Sequence, residues 1–252
     1  MAHLNRFSKR ITTFLRKGAV NLRDFLYPPL CVLCRYPLAE NNDWFCTECV
    51  EKLEQNIANR DPCPRCSQNR KIRECACHIA WDHYFERAFS IFDFDETVQH
   101  IAHHIKYKGK SRLAYDVGKE YARLIPDTFF DGIDIIISVP LHFFRKMKRG
   151  YNQAEYLAKG IIEGSRRKVP YRDDILLRTR HTKTQTKLNK EQRQKNLANA
   201  FAVNPRTGNS IRGKKLALVD DVVTTGATTD LCTRVLLDAG VEEVRVVSMA
   251  RT

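Results

Sequence analysis

A chain of 252 residues is long enough for one well-packed core and one small extra module. Its 43% hydrophobic and 29% charged content excludes a fibrous or disordered protein, and no apolar run reaches the roughly 18 residues of a membrane span. The formal net charge is +14, and residues 142–195 alone carry 16 Lys/Arg against 5 Asp/Glu, which points to a polyanionic partner.

In chain order, Leu4, Phe7, Ile11, Phe14, Leu15, Leu22, Phe25 and Leu26 recur at helical steps between Lys9, Arg10, Arg16 and Lys17. The pattern predicts a basic amphipathic helix over 4–26, closed by Pro28-Pro29. Packing on its own chain is the first expectation for this helix, and contact with lipid or a partner the second. Residues 1–28 are read as this N-terminal piece.

Residues 29–82 form a cysteine-rich module, holding eight of the nine cysteines. No secretory signal is visible, so a reducing cytoplasmic setting is expected, with peripheral contact at the inner membrane face as the alternative. Cys31-x2-Cys34 with Cys46-x2-Cys49 has the spacing of a four-thiolate structural zinc site. Cys63-x2-Cys66 with Cys75-x-Cys77 makes a second set, for which His78 and His83 are competing ligands. One or two structural Zn²⁺ are expected, standing in for an apolar core. Trp44, Phe45, Arg65, Arg70, Lys71 and Arg73 lie in or beside the module. They would suit single-stranded DNA by stacking and charge, although Trp44 equally suits the module's interior.

From residue 83 to 252 the texture becomes α/β. Strands are predicted over 87–94, 134–140, 214–221 and 241–250, and helices over 96–108, 113–125, 152–164 and 228–240. This alternation predicts a mainly parallel sheet with flanking helices. No repeat or low-complexity tract is evident. The basic stretch 178–196 reads as a loop or hood over a site, with Lys183, Lys187 and Arg193 as candidate cations. Cys232, alone in a helix, reads as a core thiol.

The chemistry concentrates in "VDDVVTTGATTD", residues 219–230. A Thr/Gly loop at the carboxyl end of a parallel strand, leading into a helix, presents N–H groups to a phosphate. No Walker A pattern is present, which argues against an ATPase. Asp220 and Asp221 would repel a phosphate. They instead suit vicinal sugar hydroxyls, directly or through a hard cation. A ribose 5-phosphate unit is the implied ligand.

"LALVDDVVTTGATTD" resembles the phosphoribosyl pyrophosphate (PRPP) motif of type I phosphoribosyltransferases. Together with "YPPLCVLC", "CTEC", "CPRC", "IKYKGK", "SVPLHFFRKMKRGYNQ" and the spaced "TQTKL…R…N…AF", it resembles the ComF family, competence-associated proteins that join a zinc finger to a phosphoribosyltransferase-like domain. The resemblance implies that Asp220 and Asp221 contact the ribose hydroxyls. Thr224, Thr225, Gly226, Ala227 and Thr228 would wrap the 5-phosphate. Ser138, Val139 and Pro140 would form the pyrophosphate-side loop, with Arg145 and Arg149 supplying charge. Asp220, Asp221 and Arg149 would act in any transfer step, with Mg²⁺ accompanying PRPP. Its partners would be PRPP, single-stranded DNA and DNA-uptake machinery proteins. No acceptor pocket is announced, so three expectations stand. The first is PRPP binding with DNA handling. The others are a metabolic phosphoribosyltransferase with an unidentified nitrogenous acceptor, and a PRPP-responsive nucleic-acid-binding regulator.

Overall fold

The computed structural model describes residues 28–38, 44–75, 77, 81–165, 168–179 and 200–252. The expected helix over 4–26, His78 and the candidate cations Lys183, Lys187 and Arg193 lie outside them. The chain separates into two compact units, Met1–Lys52 and Leu53–Thr252.

Four strands build the sheet of the larger unit: β1 (Arg87–Asp93), β2 (Ile135–Ser138), β5 (Lys215–Val223) and β6 (Glu243–Arg251). All pairings are parallel, in the order β1-β6-β5-β2. The central strands are apolar runs because both faces are covered. One face carries Leu216 and Leu218 of β5, Ile135 and Ile137 of β2, and Cys232 and Leu236 of α6 (Ala227–Asp238). Cys232 is a fully buried core thiol, as expected from its sequence setting.

On the other face lies α5 (Gln153–Ser165), which packs on β5 and β2 and pairs with α3 (Ser111–Tyr121). That helix pair is held at backbone distance by glycine. A Cβ on Gly160 would fall 2.0 Å from the Tyr115 carbonyl oxygen, and one on Gly164 2.1 Å from that of Lys119. Helix α2 (Glu96–Tyr107) buries Val98, Ile101 and Ile105, and Asp95 caps it by accepting the Val98 N–H at 2.8 Å.

Three elements were not predicted, the first of them despite Val50, Leu53 and Ile57 at helical spacing. Helix α1 (Thr47–Ala58) crosses the cysteine region. Helix α4 (Phe143–Arg149) has no buried residue and is held by its ends, with the His142 side chain at its start and left-handed Gly150 at its close. The short antiparallel pair of β3 (Leu176–Arg178) and β4 (Phe201–Val203) brings Thr179 N–H to the Ala200 carbonyl at 2.9 Å. Strand β5 also runs two residues past the acidic pair. Val222 and Val223 are β-branched and continue the register with Ala250 and Arg251.

Candidate functional site

The acidic pair lies inside the end of β5, and the pleat sends its two side chains to opposite faces. Asp220 shares its face with Leu218 and Cys232; Asp221 faces α2 and α5. Both are buried. The Asp221 N–H donates to Asp220 Oδ1, and the Val222 N–H donates to Asp221 Oδ1, each at 2.8 Å.

Asp221 is met by a cation and an amide. Lys106 Nζ, from the last turn of α2, is 2.7 Å from Asp221 Oδ2, and Gln153 Nε2 donates to the same oxygen at 3.3 Å. Burial alone would lower the Lys106 pKa. The attraction and hydrogen bond of Asp221, with help from Asp220, carry it above its ordinary value. Arg149 donates to Gln153 Oε1 and lies over the Tyr107 ring, 5.6 Å from its centroid. Lys106, Asp221, Gln153 and Arg149 thus form one connected chain from the strand end to the surface. Among the described residues no cation is ion-paired with Asp220. Burial first, and the neighbouring Asp221 charge second, push its carboxyl up to about 8, against the pull of the Asp221 N–H and Lys106. Across that face Arg178 is held below its usual pKa by burial and then by Arg145, while Asp220 acts the other way.

Ser138, Val139 and Pro140 follow β2 beside this site. The Val139 N–H donates to the Val219 carbonyl at 2.9 Å. Asn152 Nδ2 donates to the Val139 carbonyl at 3.0 Å and more weakly to Ser138 Oγ at 3.4 Å, and that hydroxyl pairs with Tyr171 OH at 2.8 Å. The polypeptide after β5 turns through exposed Thr224 and Thr225 into buried Gly226 at φ +80°. Ala227 and Thr228 then open α6. Their N–H groups belong to the first turn and have no intrahelical acceptor, although Thr225 Oγ1 lies 3.4 Å from the Ala227 nitrogen. The acidic pair, the 138–140 loop and the 224–228 turn therefore meet at the carboxyl edge of two neighbouring strands. Arg149 joins them through Gln153, while Arg145 is on the Arg178 side. Lys106 was missed by the sequence reading; its signal was its place in "IKYKGK" directly after buried Ile105.

Two cysteine sets close up as the spacing implied. Within each, the four sulfur atoms lie within 4.8 Å of one another: Cys31, Cys34, Cys46 and Cys49 in one, Cys63, Cys66, Cys75 and Cys77 in the other. Tetrahedral thiolate zinc, with bonds of about 2.3 Å, places its sulfurs about 3.8 Å apart. All nine cysteines are free thiols. The two leading knuckles are built alike. Cys31 N–H donates to the Tyr36 carbonyl and Arg35 N–H to the Cys31 carbonyl; Cys63 and Ser67 repeat this with Gln68 and Cys63. Arg35 and Ser67, which follow the second cysteine of each knuckle, both have positive φ. The module thus contains a structural repeat that residue identity conceals.

The thiol energetics fit a cation. Burial would raise the Cys63 pKa, yet the Cys66 and Arg65 N–H groups and neighbouring thiols draw it down to about 7. Burial and the neighbouring sulfurs push Cys77 the other way, and Cys66 goes up to about 11. A bound divalent ion would replace that mutual repulsion by attraction. Arg251 adds a buried guanidinium whose Nε and Nη1 lack hydrogen-bond partners among the described residues and whose charge favours the Cys66 thiolate. His83 is not drawn into the set. It pairs with Asp230 on α6.

A family model described as a phosphoribosyl transferase domain matches residues 118–252. The DNA utilization protein YhgH of Salmonella typhi is 29% identical over 231 residues, covering 89% of this chain and 98% of its own. Competence protein F of Haemophilus influenzae is 28% identical over 234 residues, covering 88% of this chain and 96% of its own. Among solved structures, the glutamine PRPP amidotransferase of B. subtilis complexed with ADP and GMP aligns over 56% of this chain at 19% identity with a TM-score of 0.36. The chain spans 26% of that protein's length. Among the described residues no helix is long and apolar enough to cross a membrane.

Proposed function

Because the chain belongs to the phosphoribosyl transferase domain family, and within it to the ComF proteins, we propose that its strand-end site binds PRPP and that the protein handles single-stranded DNA. The observation that carries the first part is the buried Asp220–Asp221 pair placed directly before the Gly226 turn and the open first turn of α6. Carboxylates at this edge accept hydrogen bonds from ribose hydroxyls. The N–H groups and hydroxyls of Thr224, Thr225, Gly226, Ala227 and Thr228 take the 5-phosphate. The 138–140 loop, Arg145 and Arg149 face the pyrophosphate, which Mg²⁺ would accompany. Lys106 holds Asp221 in place through their ion pair.

Zinc is the metal we assign to both cysteine sets, in a structural role: four thiolates leave no open position for water. If the phosphoribosyl group is transferred, the C1–oxygen bond to pyrophosphate breaks, pyrophosphate keeps the electron pair, and an acceptor nitrogen bonds C1. The site would contribute chiefly positioning and charge.

DNA handling draws support from the relatives' names and from α4. Phe143, Phe144 and Met147 of this helix are exposed beside Arg145, Lys146 and Lys148. Bases stack on such rings for about 1–3 kcal/mol each, and the lysines and arginines follow the phosphates.

The deciding experiment is calorimetric titration of PRPP with Mg²⁺ into the zinc-loaded wild type and the Asp220→Ala/Asp221→Ala variant. Binding that the variant loses is expected; no binding by the wild type refutes the reading. Pyrophosphate release with any base in an acceptor panel would favour the metabolic transferase. A PRPP-dependent shift in DNA affinity would favour the regulator.

A further inference from the structure

Between the second cysteine set and the 224–228 turn runs a short stack of rings. Trp81 packs against the cluster of Cys63, Cys66 and Cys75 on one side and against that of Phe85 and Val223 on the other. Its Nε1–H donates to the Phe85 carbonyl at 3.0 Å, and Arg65, from within the knuckle, lies 4.3 Å over its ring. The His83 ring meets Trp81 edge-on at 5.1 Å and stacks on Phe85 at 4.7 Å. Its Nδ1 is 2.5 Å from Asp230 Oδ2. The other Asp230 oxygen accepts the Tyr84 N–H at 3.1 Å, so one carboxyl holds both the imidazole and the backbone beside it.

Asp230 stands in the first turn of α6, and its own N–H donates to the Gly226 carbonyl at 2.8 Å. His83 also touches the turn directly. A Cβ on Gly226 would lie 3.1 Å from His83 Cε1 and 3.5 Å from Nδ1. Residue 226 is therefore glycine for two reasons: its φ of +80° and the imidazole that presses on it. Val223, the residue before Thr224, is gripped in the same cluster. The turn is backed by His83 and by the cluster around Phe85, and Trp81 connects both to the cysteine set.

We propose that His83 is a positioning residue for the 224–228 turn, and that through it anion binding at the turn and metal binding at Cys63, Cys66, Cys75 and Cys77 favour one another. The proposal rests on the reading of this turn as the phosphate cradle. Losing the metal frees the knuckle and Trp81, which loosens His83 and the backbone N–H groups the phosphate needs. Coupling of this kind is reciprocal, so a bound phosphate must in turn retain the metal.

The test uses the full-length, zinc-loaded chain carrying Trp44→Phe, which leaves Trp81 as its one tryptophan. Zinc is withdrawn by a chelator and followed by Trp81 fluorescence, with and without saturating ribose 5-phosphate. Calorimetry measures ribose 5-phosphate binding separately. Ribose 5-phosphate is expected to slow zinc loss about five- to tenfold. His83→Phe keeps the ring stack but cannot bond Asp230; it should weaken ribose 5-phosphate about tenfold and abolish the slowing while retaining zinc. Asp230→Asn, nearly isosteric, should weaken both effects and serves if His83→Phe does not fold. Ribose 5-phosphate that binds the wild type without slowing zinc loss overturns the coupling and leaves the cradle standing. Absence of binding overturns both. Undiminished slowing in both variants removes His83 from the role.

Discussion

Asp220 gives the sharpest test of whether this strand end is a ligand site. Its carboxyl is pushed from an ordinary 3.8 up to about 8, by burial and then by Asp221. In the unfolded chain it would titrate near the ordinary value. The folded state therefore holds an extra proton between those limits. Its contribution to stability is full below about pH 4 and is lost as pH rises through about 8. One pKa unit is about 1.4 kcal/mol, so the whole span is worth at most about 6 kcal/mol, and the interval from pH 5 to pH 7 about 2–3 kcal/mol. Asp220→Asn removes the titration but keeps an oxygen for the Asp221 N–H. Urea unfolding of both proteins at pH 5, 6, 7 and 8 should show the variant gaining on the wild type by roughly 1 kcal/mol per pH unit. Protonation of the zinc thiolates affects both chains and cancels in the difference. The same variant should lose ribose 5-phosphate affinity. Parallel stability profiles would mean that Asp220 ionises at no cost, and the argument for a destabilised, ligand-ready carboxylate would fail.

Lys106→Met strands the buried Asp221 charge. It should cost about 2–3 kcal/mol in denaturant unfolding, somewhat less than a fully buried pair because Lys106 is partly exposed, and adding Asp221→Asn should recover most of it. Additive single losses would show that the two groups do not interact. Gly160→Ala gains at most about 1 kcal/mol of helix propensity but sets a Cβ 2.0 Å from the Tyr115 carbonyl; a net loss of at least about 1–3 kcal/mol and a lower Tm are expected. Metal analysis should find two zinc ions per chain, falling to one in Cys66→Ser, and an unchanged count in that variant would refute the second site.

What the sequence revealed was whatever is local. The strands were legible because "DIIIS" and "LALV" are apolar runs covered on both faces, and the acidic pair because it interrupts one of them. The turn was legible from Gly226. Lys106 was harder, because it reaches Asp221 from a helix far away in the chain, and nothing local distinguishes it from a surface lysine. His83 was weighed as a thiolate-set competitor by proximity in sequence. Its partner, Asp230, lies 147 residues on and only the parallel sheet brings the two together. Helix α4 escaped because "FFRKMKR" has no face to bury; its start depends on His142 and its end on Gly150. The repeated knuckle escaped because its likeness resides in backbone hydrogen bonds and in the positive φ of Arg35 and Ser67, two residues with nothing chemical in common.

The two carboxylates answer to different masters, and that division makes functional sense. Asp221 is held by Lys106 and Gln153 and has its charge matched before any ligand arrives. Asp220, one residue earlier and on the other face, is packed near a neutral thiol, and its charge is opposed by burial. An apolar residue there would suit the unliganded fold better, as its neighbours Leu216 and Leu218 on the same face illustrate. A carboxyl that burial keeps protonated, directly before a turn with first-turn N–H groups, can be drawn to its charged form by hydroxyl donors of a sugar, which favour the carboxylate. The stability gained by Asp220→Asn and the binding it loses would then be two readings of the same carboxylate.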